Sequence, residues 1–279
     1  LPIFWFNESA DFVDLGAAFL LQQRTTDTRR FVFEATEDDP AVEPDLVEDP
    51  DDLFIDDNIV TASAQGEFIT ISEETLATDN YAGEHLIWSG FFNTDILLPF
   101  EVRMNAGARL DLSRQTVEVV DLFTGFTQEP EVLETLDINP SLNFTWPFAD
   151  NMQLRVGGSR TVNRPDLQEL SPARRFGPPG TGITTGNPDL ERATIWNADL
   201  RWEMYIAERE NLAVGAFYKY FEDPIEQLQF SGASFTTTYT NVPEAYNVGG
   251  ELEWALQFRF VSDLLRDYMV NLDYASLER

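Results

Sequence analysis

From Asn151 to Val162 the chain alternates with a period of two. Met152, Leu154, Val156 and Gly158 fall on one face, and Asn151, Gln153, Arg155, Gly157, Ser159 and Thr161 on the other. That period belongs to an extended strand, whose successive side chains point to opposite sides. The split recurs in four more segments. Residues 194–206 set Trp196, Leu200 and Trp202 against Asn197, Asp199, Arg201 and Glu203. Residues 211–220 set Leu212, Val214, Tyr218 and Tyr220 against a small or polar face ending in Lys219. Residues 248–260 set Leu252, Trp254 and Phe258 against Glu251, Glu253 and Arg259, and 101–112 set Met104, Leu110 and Leu112 against Arg103, Arg109 and Asp111. Most of these runs reach about ten residues or more, whereas ordinary strands average roughly 5–6. A strand tilted across a bilayer needs roughly 9–11.

Two architectures use such a strand. In a soluble sandwich the apolar face meets a second sheet and the polar face meets water. In a membrane barrel the apolar face meets lipid and the polar face a wet bore. Alternation alone does not separate them, but strand length favours the barrel. Aromatic residues near strand ends (Phe144 with Trp146, Trp202 with Tyr205, Tyr218 with Tyr220, and Trp254) suit interfacial girdles. No run of 18 or more apolar residues occurs, so no helical membrane span is expected. A mean hydropathy of -0.25 is compatible with a barrel, which hides its apolar content in alternate positions.

The connections alternate in length. Short links are expected at 25–28, 97–100, 147–150, 207–210 and 262–267, and long ones at roughly 37–80, 122–134, 163–191 and 222–245. A meander with tight turns at one end and large loops at the other has this rhythm, as outer-membrane barrels do. The count is about twelve strands, or fourteen if Phe68–Ser72 and Phe235–Thr240 also pair. Because backbone groups in hydrocarbon must all be satisfied, a spanning sheet must close, either by itself or as a piece of a larger barrel. The chain starts at Leu1 with no basic leader region, which reads as a processed chain or a fragment.

Charge excludes several functions. Lys plus Arg number 18 and Asp plus Glu 49, a net charge of -31. Nucleic acid is therefore not an expected partner, since binding it begins by neutralising phosphates. With no cysteine there are no thiolate metal sites, and with one histidine, His85, no multi-histidine site. His85 lies in a strand-like segment near Trp88 and reads as a bore, interface or packing residue. No cofactor and no enzymatic activity are expected, because a pair of carboxylates arises by chance in so acidic a chain. Between Glu34 and Asp57 lie twelve acidic residues with Pro40, Pro44 and Pro50, the composition of an irregular solvated loop. Asp51, Asp52, Asp56 and Asp57 offer hard oxygen ligands for Ca²⁺, but without the EF-hand spacing or its turn glycine.

Several motifs then occur in a fixed order. Asn139-Pro140-Ser141-Leu142-Asn143 precedes Ser159-Arg160-Thr161-Val162-Asn163-Arg164-Pro165 and Glu169-Leu170-Ser171-Pro172. Gly186-Asn187-Pro188-Asp189-Leu190-Glu191, Ala216-Phe217-Tyr218-Lys219 and the Asn241–Trp254 segment follow, and Thr78-Asp79-Asn80-Tyr81 stands upstream. Together, over roughly 78–260, they resemble the barrel of TonB-dependent outer-membrane receptors. Arg192-Ala193 departs from the family's usual Pro-Glu. Locally these motifs are structural. Arg164-Pro165 and Asn187-Pro188 fix extended or turn backbone, and Gly186 can supply a positive φ. Arg160, Arg164, Arg174 and Arg175 could meet acidic lipid or ligand, although ordinary neutralisation of bore and loop charge is the favoured role.

The resemblance implies an all-β, antiparallel transmembrane barrel with short periplasmic turns and long extracellular loops. Residues 1–279 read as a partial barrel domain, a fragment of a 22-stranded barrel without its plug. The implied place is the bacterial outer membrane. The implied function is active uptake of a scarce nutrient of siderophore, cobalamin or glycan type. Implied partners are the TonB complex, engaged through a plug not in this chain, membrane lipid and lipopolysaccharide, and the small nutrient. By alternation, ligand-facing candidates are Arg155, Asp199, Arg201, Glu203, Lys219, Glu251, Glu253 and Arg259. A passive outer-membrane porin and a soluble β-sandwich that binds carbohydrate are the alternatives.

Overall fold

The structure is a computed structural model that describes residues 4–5, 11–35, 59–60, 69–123, 129–177, 182–207, 210–230, 235–257 and 269–278. In chain order, β1 (Phe4–Trp5) and β2 (Phe12–Thr25) are followed by three short strands, β3 (Phe31–Ala35), β4 (Ile59–Val60) and β5 (Ile69–Glu73). Then come four long strands: β6 (Tyr81–Leu97), β7 (Arg103–Val119), β8 (Glu131–Ala149) and β9 (Met152–Asn163). One turn of helix, α1 (Leu167–Leu170), precedes β10 (Arg174–Phe176) and β11 (Ile183–Thr185). The chain continues with β12 (Ala193–Ala207), β13 (Glu210–Glu222), β14 (Ile225–Phe230), β15 (Thr236–Asn241), β16 (Glu244–Gln257) and β17 (Met269–Glu278).

The long strands make one ten-stranded antiparallel sheet in the order β1-β2-β6-β7-β8-β9-β12-β13-β16-β17. Chain order and sheet order agree, so the sheet is the expected meander. Its first and last strands do not meet, and among the described residues the sheet stays open. The remaining strands form two small sheets inside the long connections, β3-β5-β4 and β10-β11-β15-β14. This corrects the strand count. Residues near Phe68–Ser72 and Phe235–Thr240 do pair, as β5 and β15, but in these loop sheets and not in the wall. The loop sheets include parallel pairs, β4 with β5 and β11 with β15, which the wall lacks. Residues 25–28 are corrected too. They open the long excursion to β6, since β2 pairs directly with β6 and Thr25 lies opposite Ala82.

Alternation decides which side each residue takes. Register sets Arg160, Trp196, Tyr220 and Tyr246 side by side across β9, β12, β13 and β16. Two residues further along, Gly158, Ala198, Tyr218 and Val248 make the next row, then Val156, Leu200, Ala216 and Gly250. This face is apolar and open: Trp88, Leu112, Leu136 and Ile138 are each more than 50% exposed. Among the described residues no second sheet packs on it, so the sandwich alternative has no core here.

Among the described residues, the compact apolar cluster lies on the other face, beneath the loops. Tyr81, Val117, Leu167, Leu170, Ala173, Leu190 and Tyr239 are all buried there. Asp166 caps α1, accepting from the Gln168 amide at 2.9 Å, and Glu169 returns the bond to the Asp166 amide at 2.8 Å. That capping box lets a single turn of helix stand, with Leu167 and Leu170 facing the wall. Gly186 is not a positive-φ position; among described glycines that conformation belongs to Gly182. A Cβ on Gly186 would lie 2.1 Å from the Ser171 carbonyl oxygen. The residue is needed for close approach of two backbones, not for its dihedral freedom.

Candidate functional site

The polar face of the wall holds two charge networks. The first lies toward the short-turn end. Arg201 donates from both Nη atoms to both carboxylate oxygens of Glu253, at 2.9 and 2.5 Å, and from Nε to Glu203 at 2.7 Å. Arg155 lies 3.4 Å from the same Glu203, and Tyr205 donates its hydroxyl to it at 2.7 Å. Gln153 donates to Glu203 and to the Tyr205 oxygen. Arg201 is on β12 and Glu253 on β16, with β13 between them. The bridge is possible because β13 presents only Ala213 and Gly215 at this level. Ala213 is covered by it, at 1% exposure. A bidentate guanidinium–carboxylate pair is the strongest geometry open to these groups.

The second network lies under the loop joining β9 to β12. Asp137, on β8, is fully buried. Arg164 donates to it at 2.6 Å, Thr135 donates at 3.0 Å, and the Arg192 Nε lies 2.5 Å away. Arg164 also reaches Asp111 at 3.4 Å, and Arg109 bonds Asp111 at 2.7 Å and Ser89 at 2.8 Å. Arg164 and Arg192 stand at the two ends of the 164–192 loop, so one carboxylate pins both feet. Gln115 adds a bond to the Pro165 carbonyl at 2.6 Å. His85 Nε2 and the Ser113 hydroxyl share a hydrogen bond at 2.9 Å within the wall.

Of the eight candidates, Arg155, Arg201, Glu203 and Glu253 come together in the first network. Asp199, Lys219 and Glu251 take the same face of the sheet; Glu251 shares the row of Arg155 and Arg201 across Gly215, whereas Asp199 and Lys219 sit in other rows, with Lys219 between Asn197 and Asn247. Arg259 lies outside the described residues, as do Asp51, Asp52, Asp56 and Asp57. Arg164 and Arg174 pair with carboxylates, and Arg175 with Gln168 and Tyr239. Arg160 turns to the apolar face instead, over the Trp196 ring. Tyr205 does not join the aromatic girdle: its bond to Glu203 places it on the charged face.

Sequence reasoning missed Asp137, Asp111 and Arg192 as a unit. Alternation puts both aspartates on the polar face, but only the inward fold of the loop buries them. Among the described residues, no group of three His, Asp or Glu side chains is placed to hold a metal ion.

An apolar outer belt, a charged inner wall and loops folded inward at one end are the features of a transmembrane barrel wall. Comparison with known proteins agrees. Residues 44–277 match the family model described as TonB dependent receptor-like, beta-barrel. Among solved structures, the copper transporter OprC superposes with a TM-score of 0.62 at 14% identity, covering 98% of this chain and 36% of its own. The ferric-catecholate import receptor Fiu from K12 E. coli gives 0.55 at 12% identity, covering 98% and 36%. The siderophore receptor PirA from Pseudomonas aeruginosa gives 0.49 at 16% identity, covering 75% of this chain and 45% of its own. The chain thus spans less than half the length of these structures. No curated protein sequence matches it. With the family model covering most of its length and the fold agreeing, this chain belongs to the β-barrel family of TonB-dependent receptors, whose members are bacterial outer-membrane proteins.

Proposed function

We propose that the chain forms part of the wall of an active importer, in which the charged inner face borders the path of a scarce nutrient. The observation that carries this reading is the Arg155–Glu203–Arg201–Glu253 network. It is a fixed, wettable, mixed-charge surface turned away from lipid. Charges in a membrane protein are tolerated where they pair and line an aqueous cavity. In the complete protein, partial barrel 1–279 would join further strands and a plug that couples to TonB. Neighbours named for copper and for ferric catecholate share the fold, so the fold leaves the cargo open. Siderophore, cobalamin and glycan remain the classes to test, and Asp199, Lys219, Glu251 and Arg259 are further ligand-facing candidates.

The test is uptake by cells expressing the complete reading frame, with labelled ferric siderophores, cobalamin and oligosaccharides as probes. Accumulation of one probe that disappears on deletion of TonB supports the reading. Accumulation that is unchanged without TonB makes the protein a passive pore and overturns it.

A further inference from the structure

The inner face carries an aromatic ring among polar groups that have no partners. Register places Phe217, on β13, opposite Asp199 of β12 and Gly249 of β16. Its same-face neighbours on β13 are Gly215 and Lys219, each about 7 Å along the strand. Asn247 and Glu251 flank Gly249 on β16 in the same way.

Glycine decides how the ring lies. A Cβ at Gly249 would stand 2.4 Å from Phe217 Cζ and 2.5 Å from the Ser276 carbonyl oxygen, so no side chain fits there. The ring reaches across to β16 and lies over this bare backbone, and Phe217 is only half-buried, with the bore on its other side. Covering a strand glycine with an aromatic ring is stabilising by itself and accounts for Phe217 alone. It does not account for the surroundings. Arg155, Arg201, Glu203 and Glu253 nearby are all engaged with one another. Asp199, Lys219, Asn247 and Glu251 are not: among the described residues their side chains make no hydrogen bond or ion pair. Asp199 and Lys219 are diagonal neighbours of opposite charge, within reach by pairing geometry, and still do not meet. The carboxylates accept, the ammonium donates, and the amide does both. A ligand that satisfies them must bring donors and acceptors around a flat apolar face.

We propose that Phe217 and these four side chains form a binding site for a neutral sugar ring, which makes the cargo a glycan. A pyranose presents an apolar face of C–H groups whose partial positive charge meets the negative face of an aromatic ring. Hydroxyls stand around its rim, and each both donates and accepts. An anionic ferric complex would meet the Asp199 and Glu251 carboxylates against one ammonium, in a chain of net charge -31. The inference rests on the reading of this face as the bore of an importer, and it names the class of cargo that such a bore would pass.

The test is binding by the complete protein in a non-glycosidic detergent, with maltohexaose, xylohexaose and mannohexaose as probes in titration calorimetry. At least one should bind saturably. F217L keeps an apolar side chain over Gly249 without a ring face and should weaken that binding about tenfold, whereas F217Y should retain it. D199A and K219M should each weaken it about tenfold while the protein keeps the heat-modifiable migration of a folded barrel. Should F217L fail to fold, D199A and K219M still decide. Failure of all three sugars to bind overturns the proposal, as does binding that is unchanged in folded F217L, D199A and K219M. TonB-dependent uptake of a ferric siderophore or cobalamin with no sugar bound leaves the importer standing and removes this site. Sugar binding that depends on Phe217, with uptake that persists without TonB, keeps the site and removes active import.

Discussion

Placing an arginine at Leu200 tests the sidedness on which every functional reading here depends. On β16, Tyr246 belongs to the upper aromatic row and Trp254 to the lower end of the belt. At about 3.4 Å per residue that separation is roughly 27 Å of strand. A tilt of about 40° reduces it to roughly 21 Å of height, close to the ~25 Å apolar band of outer-membrane barrels. Leu200 lies in register with Ala216 and Gly250, midway between those limits and about 10 Å from each by the same spacing. Arginine at the midplane of a barrel's lipid face costs about 2–4 kcal/mol, falling to about 0–1 near the interfaces. Leu200→Arg should therefore destabilise by about 2–4 kcal/mol, and Tyr220→Arg in the upper row should carry a charge penalty of at most about 1 kcal/mol. Asp199→Arg, one residue away on the polar face, should cost less than about 1 kcal/mol. Equilibrium guanidinium titration of the complete protein in phosphatidylcholine vesicles measures all three. If Leu200→Arg and Asp199→Arg cost the same, the assignment of faces is wrong.

Asp137→Asn should cost about 3 kcal/mol, because it leaves two arginines facing a buried neutral amide. A double-mutant cycle with Arg164→Met should show strong coupling, whereas the exposed Arg114–Glu134 pair at 3.5 Å should couple by less than about 0.5 kcal/mol. Ala213→Leu puts bulk beneath the Arg201–Glu253 bridge and should destabilise by about 1–3 kcal/mol through overpacking, with the same titration as the readout. In the small loop sheet, the Arg29 hydrogen bond at 2.9 Å holds the Glu73 carboxyl below its ordinary value. A lowered folded-state value means the contact is in force above the ordinary carboxylate range and fades as pH falls below it. The protection factors of amides in β3 and β5, taken relative to intrinsic exchange at each pH, should fall on acidification below about pH 4.5 in the wild type, and Arg29→Gln should flatten that response.

The wall was legible because its code is local. A residue such as Leu200 or Arg201 is assigned to a face by the parity of its position, and long strands repeat that assignment many times. Strand ends were legible where a turn intervened, as at 207–210. The small sheets were harder. Phe235–Thr240 looks like any short strand, and nothing in it says that its neighbours are β11 and β14 and not the wall. The candidate site divides the same way. Parity placed Arg155, Arg201, Glu203 and Glu253 on one face. Their union into a network depended on two small residues of an intervening strand. Tyr205 was misplaced because its aromatic ring near a strand end was grouped with Trp202, although its parity is that of Arg201 and Glu203, and the bond to Glu203 shows it on the charged face.

By itself, the sequence determined an antiparallel meander of long strands with an apolar and a polar face, since strand geometry ties side to position. Only the tertiary structure decided that the 164–192 loop folds inward and buries Asp137 between Arg164 and Arg192. It alone decided that β8 and β9 part above Ser141 and leave Arg160 to bridge them. Both outcomes are contacts between residues distant in the chain. Their free energy is a balance between the cost of taking charge and backbone out of water and the ion pairs and hydrogen bonds that offset it, which no local pattern records.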